Sequence, residues 1–518
     1  MTFVPAREVL LIFKHMKKYL LIFFAATALV ACNTKPQKSK TEAVAVADKI
    51  EYTADWESLK QYKVPEWWLN TKFGIYFHWG PYSVPAHETE WYSIRMYEKG
   101  NPIRKYHEET YGNLKEFGYK DFIPMFTAEK FNADEWAKLF KESGAQFAGP
   151  VAEHADGFAM WDSDLTEWDA MDMGPKRDIV GEMEKAVRKQ GMKFIATYHR
   201  HWLYAWYPTW DKNTDAGDPK YAGLYGPYVP EGSFVMATGD YPNPPKKEFH
   251  QEWLDRLNEL MDKYQPDIIW FDNKMDIIEE QYRKQFLANY YNKAQEWGRD
   301  VVCTYKFHDM AEGSAVLDLE RSRMKEKKEF PWLTDDSIDW KAWCNISDPK
   351  YKSTNRLIDF LVDVVSKNGA VLLNVTPQAD GVMPEGVKTR LLEMGQWLKA
   401  NGEAIYDTRP WKVFGEGPQE IKEGHLSEDK NKDAVAEDIR FTTKDGNLYA
   451  IALDWPENNM VIHSLAKKEN LLSDEIRKVT MLATGEELSW ELTETGLTVE
   501  LPKEKPGDFA FAIKIELK

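Results

Sequence analysis

Short apolar runs that end on a polar or charged residue recur along the chain between Lys72 and Val375, separated by longer amphipathic stretches. This alternation restricts the fold more than any other feature of the sequence. The plainest case is Gln265–Asp276 (QPDIIWFDNKMD), where a charged, helix-like stretch, Lys247–Tyr264, stops at Pro266 and Ile268–Phe271 carries the chain to Asp272. A run of β-branched and aromatic residues bounded by turn chemistry reads as a strand buried in a parallel sheet. Asp272 then stands at its C-terminal end, where parallel α/β folds gather their chemistry.

The same unit repeats. Phe73–Trp79 ends at His78-Trp79-Gly80, Gln146–His154 at Glu153-His154, and Phe194–Tyr198 at Tyr198-His199. Val301–Tyr305 follows, then Ala315–Leu319 before Glu320, and Ala370–Val375 around Asn374. A seventh strand is expected near Ala342–Ile346. Helices are predicted over Glu135–Ser143, Lys176–Gln190, Phe249–Tyr264, Gln281–Gly298 and Asn355–Asn368. Strands alternating with helices imply βα units and a parallel sheet, and eight such strands over about 350 residues fit an elaborated (β/α)8 TIM-like barrel. In a closed barrel the strand ends meet at one mouth, which would bring together His78, His154, His199, Asp272 and Glu320.

Beyond Trp411 the pattern changes to short strands separated by turns such as Lys444-Asp445-Gly446-Asn447. Regular short spacing of this kind predicts a C-terminal β-sandwich, placed at residues 415–518 behind a barrel at 50–414. Its expected role is to pack against and stabilise the barrel. The polar stretch Gly415–Asp438, which contains His425, reads as a loop bridging the two.

At the other end, Met16-Lys17-Lys18 precedes an apolar run, Tyr19–Ala31, that closes on Leu29-Val30-Ala31-Cys32. A basic n-region, a short apolar core and small residues describe a secretory signal peptide. Its last four residues resemble a bacterial lipobox, whose cysteine becomes lipidated. Residues 1–32 are therefore expected to be a lipoprotein signal starting at Met16, and 33–49 a flexible tether. The chain is expected at the bacterial periplasm or cell surface, touching membrane only through that anchor. A net charge of −17 without a basic stripe speaks against a nucleic-acid partner. The three cysteines (Cys32, Cys303, Cys344) make no disulfide framework and have no metal spacing.

With these residues in place, the chain resembles the α-L-fucosidases of glycoside hydrolase family 29. The resemblance rests on Lys72–Ala86 (KFGIYFHWGPYSVPA), Glu90-Trp91-Tyr92, Phe117–Trp136, His154–Ser163 (HADGFAMWDS) and Gly174–Val180. It continues through Trp270–Asp272, Asn368–Pro377 (NGAVLLNVTP) and Asn401–Val413 (NGEAIYDTRPWKV). It implies a retaining exo-glycosidase without a cofactor or metal, acting on an oligosaccharide or polysaccharide. On the matching positions it implies Asp272 as nucleophile, and His78, Trp91, His154, Tyr198 or His199, and Trp270 as sugar-binding groups. The acid/base varies in position within the family. Glu320 in Leu317–Arg323 (LDLERSR) is the expected one, with Glu326 and Glu329 in reserve.

The chain departs from the family in three places. Ala155 follows His154 where a second histidine is usual, Tyr76 stands where many relatives place Phe against the fucose methyl, and Asn273 follows the nucleophile. L-Galactose is L-fucose with a hydroxyl on C6, so these departures raise an exo-α-L-galactosidase as the alternative activity. A non-catalytic carbohydrate-binding barrel is the alternative of another class, disfavoured by the presence of Asp272, His78 and Glu320. A metal-dependent hydrolase is disfavoured because the three histidines lie on separate strands without a clear carboxylate ligand.

Overall fold

The structure, a computed structural model, describes residues 50–233 and 239–518; the expected signal segment and tether lie outside the described residues. Eight parallel strands close into a barrel in sequence order. They are β1 (Phe73–Phe77), β2 (Phe147–Glu153), β3 (Lys193–Tyr198), β4 (Ile268–Phe271), β5 (Val302–Lys306), β6 (Val316–Glu320), β7 (Trp332–Ser337) and β8 (Gly369–Val375). Closure comes from β8 pairing with β1, Val371 opposite Phe73 and Val375 opposite Phe77.

The period of two along each strand sorts residues between two cores. Tyr76, Phe147, Val151, Ile195, Ile268, Trp270 and Leu372 fill the barrel interior. Their neighbours Ile75, Phe77, Phe194, Ile269 and Phe271 face outward into the layer of helices. Gly74 makes room for Phe147 inside the barrel, since a Cβ there would lie 2.2 Å from a ring carbon. Three of the helices start on side-chain caps: Asn132 before Ala133–Glu142, Asp178 before Ile179–Lys189, and Ser353 before Thr354–Ser366.

One expected strand is corrected. The seventh is Trp332–Ser337, not Ala342–Ile346. Its sequence, WLTDDS, carries two successive aspartates, Asp335 and Asp336, which have poor intrinsic strand preference. Buried ion pairs override that preference, with Asp335 on Lys306 at 2.9 Å and Asp336 on Lys352 at 2.6 Å. Residues 342–346 form an irregular segment instead, held over the mouth where the Trp343 N–H donates to Glu90 Oε2 at 2.9 Å.

The C-terminal part is antiparallel. Its larger sheet runs β13-β16-β11-β10-β9 and the smaller runs β12-β15-β14. The strands are β9 (Arg409–Glu416), β10 (Ile439–Lys444), β11 (Asn447–Ala452), β12 (Asn459–Ile462), β13 (Ile476–Met481), β14 (Trp490–Leu492), β15 (Leu497–Glu500) and β16 (Phe511–Leu517). The larger sheet thus begins at Arg409, inside the stretch expected to close the barrel. Leu448, Ala450, Ile513 and Ile515 share one apolar core with Met460, Ile462, Leu497 and Val499 of the smaller sheet. The alternate residues Tyr449, Ile451 and Ala512 turn to the barrel's own core. Arg440 on β10 crosses that seam to Asp363 of the helix Thr354–Ser366 at 2.6 Å.

Candidate active site

The C-terminal strand ends surround a cup of about 440 Å3. The two-residue period fixes which side chains enter it. Tyr76 and His78 continue the inward face of β1, His199 that of β3, Trp270 and Asp272 that of β4, and Glu320 that of β6. Tyr198 is out of phase by one residue. Its ring is buried against Trp253 and Phe271 in the outer layer, and it takes no part in the cup.

Three imidazoles form one wall. The rings of His78, His154 and His199 lie 5.3, 5.3 and 4.9 Å apart pairwise. Asn374 fixes the first of them. Its amide nitrogen donates to the Trp343 carbonyl at 2.6 Å, so its oxygen is the acceptor facing His78 Nδ1 at 2.8 Å. His78 therefore carries its proton on Nδ1 and presents Nε2 as an acceptor. The chain next to His154 is held by Glu153, buried between Arg200 and Arg256. Burial keeps all three rings neutral, pushing His78 down to about 4 and His154 and His199 well below the ordinary value. Where the family pattern has a second histidine, Ala155 is buried, and the imidazole beside His154 comes from β3 as His199.

Placement on separate strands does not keep the histidines apart. Their ligand atoms all lie within 4.8 Å of one another, so this trio is the group among the described residues that could hold a metal ion. It could equally meet the hydroxyls of a sugar. Trp270 packs at a tilt against His199 and Tyr76, and Trp91 lines the rim against Trp206.

The opposite wall is acidic and built around one buried lysine. Lys306 Nζ lies 2.9 Å from Asp335 Oδ1, 3.0 Å from Glu320 Oε2, 3.5 Å from Asp272 Oδ1 and 3.7 Å from Asp318 Oδ2. Trp270 donates its indole N–H to Asp318 at 2.8 Å, and the Tyr76 hydroxyl donates to Asp335 Oδ2 at 2.9 Å. Asp272 keeps 21% of its side chain exposed and Glu320 13%, so both face the cup. The sum of their distances to Lys306 only reaches the lower edge of the about 6.5–9.5 Å spacing of inverting glycosidases. Glu326 and Glu329 are exposed on a loop outside the cup.

One lysine cannot neutralise four carboxylates, so the cluster retains protons. Burial drives Asp335 well above the carboxylate range and raises Asp318. Burial, opposed by Lys306 and helped by the Glu320 charge, pushes Asp272 up to about 7. Glu320 would also be raised by burial, but the charge and hydrogen bond of Lys306 outweigh it and hold the group below its usual value. Despite its burial, Lys306 is raised further by the surrounding carboxylates and stays an ammonium.

Lys306, Asp335, Glu90, Arg321, Trp343 and His425 also line or adjoin the cup and were not singled out as site residues from the sequence. The signal for Lys306 was there: it extends the inward series Val302, Thr304 by one step.

An acid pair on the mouth of a parallel barrel, faced by neutral imidazoles and indoles, defines a glycoside hydrolase. Comparison with known sequences bears this out: the family described as Alpha-L-fucosidase matches residues 39–403, and Alpha-L-fucosidase C-terminal domain matches 431–516. The chain belongs to the α-L-fucosidase family. It is 32% identical over 479 residues to a rat tissue alpha-L-fucosidase, covering 88% of this chain and 90% of that protein. The human tissue enzyme is 30% identical over 488 residues, with 90% and 91% covered. Among solved structures it resembles a Thermotoga maritima alpha-fucosidase in complex with fucose. There the TM-score is 0.71 at 29% identity, covering 90% of this chain and all of that one.

Proposed function

We propose that this chain releases a terminal α-L-fucosyl group by double displacement, with Asp272 as nucleophile and Glu320 as acid/base. The observation that supports the reading is that both carboxylates reach Lys306, so their facing oxygens lie no further apart than the lower edge of the inverting range. In the first step Glu320 gives its proton to the glycosidic oxygen while Asp272 attacks the anomeric carbon. The leaving group departs as an alcohol and a glycosyl ester remains on Asp272. In the second step Glu320, now a carboxylate, takes a proton from water as its oxygen attacks the same carbon and frees Asp272.

In the empty site the shared proton sits on the Asp272 side of the pair. Substrate reverses this. The glycosidic oxygen accepts a hydrogen bond only from a protonated Glu320, and the positive charge growing at the anomeric carbon favours ionised Asp272. The imidazoles of His78, His154 and His199 meet ring hydroxyls, and Trp270 covers an apolar face.

A second reading has its own observation. The Tyr76–Asp335 pair puts a hydroxyl and a carboxyl in the wall where family resemblance implies a phenyl ring against the C5 methyl. A polar pair there suits the C6 hydroxyl of α-L-galactose, and sites built to bond a hydroxyl reject analogues lacking it. Parallel kcat/KM measurements on 4-nitrophenyl α-L-fucoside and α-L-galactoside decide between the two. Hydrolysis of neither would overturn both.

The N-terminal sequence supports a further proposal, that Cys32 is lipidated and tethers the enzyme outside the cytoplasm of a bacterium. Leu29-Val30-Ala31-Cys32 and the polar stretch after it are the support. Labelling by a fatty acid that is lost in Cys32→Ala is the expected result; an unlipidated mature form would contradict it.

A further inference from the structure

His425 and Leu426 line the cup beside Glu320, the Phe307 ring packs against that of His425, and the reaction above uses none of them to hold the substrate. Phe307, the residue after β5, has a φ of 50° and is 52% exposed. Leu426, in the segment between β9 and β10, has a φ of 56° and is 45% exposed. Left-handed backbone is uncommon for bulky residues and persists where surrounding contacts impose it. Here two large apolar residues are held that way and turned toward solvent at one place. The His425 ring lies 5.3 Å from that of Phe307 at 64°, and its Nδ1 is 3.9 Å from Glu320 Oε2.

The segment carrying His425 and Leu426 is firmly tied to the barrel. Leu426 N–H donates to the Glu320 carbonyl at 3.0 Å, and Glu428 N–H to the Arg321 carbonyl at 2.8 Å. The buried Glu428 carboxylate accepts from Arg323 Nε at 2.8 Å and Nη2 at 2.6 Å. Arg356 binds the same carboxylate at 2.7 Å. The β9–β10 loop of the sheet domain, expected from the sequence to bridge barrel and sheet, is thereby fastened onto the strand that ends in the acid/base.

We propose that Phe307, His425 and Leu426 form the leaving-group subsite, a ledge that takes the pyranose attached to the released sugar. The inference rests on Glu320 being the acid/base. A general acid must face the glycosidic oxygen, so the ring beyond that oxygen lies against whatever borders the acid on its solvent side. Phe307 and Leu426 offer it only apolar surface, which suits the C–H face of a pyranose. His425, kept neutral as burial lowers it, offers a ring nitrogen to a hydroxyl of the same ring. The ligand is therefore a neutral hexose or N-acetylhexosamine, and a loop of the sheet domain is part of the substrate site.

The test compares leaving groups. Phe307→Ala and Leu426→Ala are assayed on α-L-fucosyl or α-L-galactosyl fluoride, whichever the unaltered enzyme prefers. They are also assayed on the best of the corresponding (1→2)-, (1→3)- and (1→4)-linked disaccharides of D-galactose and N-acetylglucosamine. Fluoride needs no sugar beyond the scissile bond, and its hydrolysis shows that each variant is folded. The expected result is a drop of about tenfold in kcat/KM on the disaccharide with the fluoride value kept within about twofold, and partial recovery in Phe307→Trp. Equal losses on both substrates, or no loss on either, would overturn the subsite. So would an unaltered enzyme that cleaves the fluoride but none of the disaccharides. An unaltered enzyme inert toward both fluorides would overturn the hydrolase reading instead.

Discussion

Lys306 Nζ donates to Glu320 Oε2 at 3.0 Å from the neighbouring strand, with 1% of the lysine side chain exposed. That contact sets the protonation of the whole acid pair, because Lys306 also reaches Asp272. The reaction needs one proton on the pair, and the last is lost near the value of about 7 to which Asp272 is pushed. kcat/KM is therefore expected to fall as pH rises through about 7. Removing the ammonium in Lys306→Gln raises both carboxyls, so the alkaline limb moves up by about one pH unit or more while turnover falls about 10²–10³-fold. A pH–rate profile of the two enzymes checks both statements.

Tyr76 and Asp335 bond across the wall of the cup. Tyr76→Phe takes a hydroxyl from the wall proposed to meet C5 and C6 of the sugar. The ratio of kcat/KM for the α-L-fucoside over the α-L-galactoside is expected to rise about tenfold. An unchanged ratio would place C6 elsewhere in the cup.

The histidine trio is close enough for a metal, yet each ring has a use as a neutral hydrogen-bonding group for sugar hydroxyls. Dialysis against EDTA is expected to leave kcat/KM unchanged. Loss on chelation with recovery on added zinc would reassign the trio.

Arg440 and Asp363 tie the sheet domain to the barrel in a buried pair. Burial would raise Asp363, but Lys367, Arg440 and Arg323 together hold its carboxyl far below the usual range. That stabilisation is present above the unfolded-state value near about 4 and is lost as pH falls below it. Arg440→Met is expected to cost about 3–5 kcal/mol in denaturant unfolding at neutral pH, with a shallower acid-side loss than in the unaltered protein.

The barrel is legible wherever local and tertiary forces agree. Ile268–Phe271 is apolar, β-branched and turn-bounded, and the strand stands where those properties put it. β7 is hard to read because the two aspartates of WLTDDS are buried against lysines at positions 306 and 352, which no local pattern reveals. Phase matters as much as position. Tyr198 and His199 are adjacent in sequence, yet the pleat sends one into the helix layer and the other into the cup. The strand β5 extends one residue further than its apolar run suggests, and that residue is Lys306. His425 could not be found from pattern alone, since only the tertiary docking of Leu426 and Glu428 brings its loop back to Glu320.

The most direct test is azide rescue, read by the anomer formed. In Asp272→Ala, azide takes the place of the missing nucleophile and the product expected is the β-L-glycosyl azide. In Glu320→Ala, azide attacks the ester on Asp272 and the product expected is the α-L-glycosyl azide. Each variant without azide should be slower by several orders of magnitude on unactivated substrates. The same anomer from both variants, or full activity in either one, would contradict the assignment.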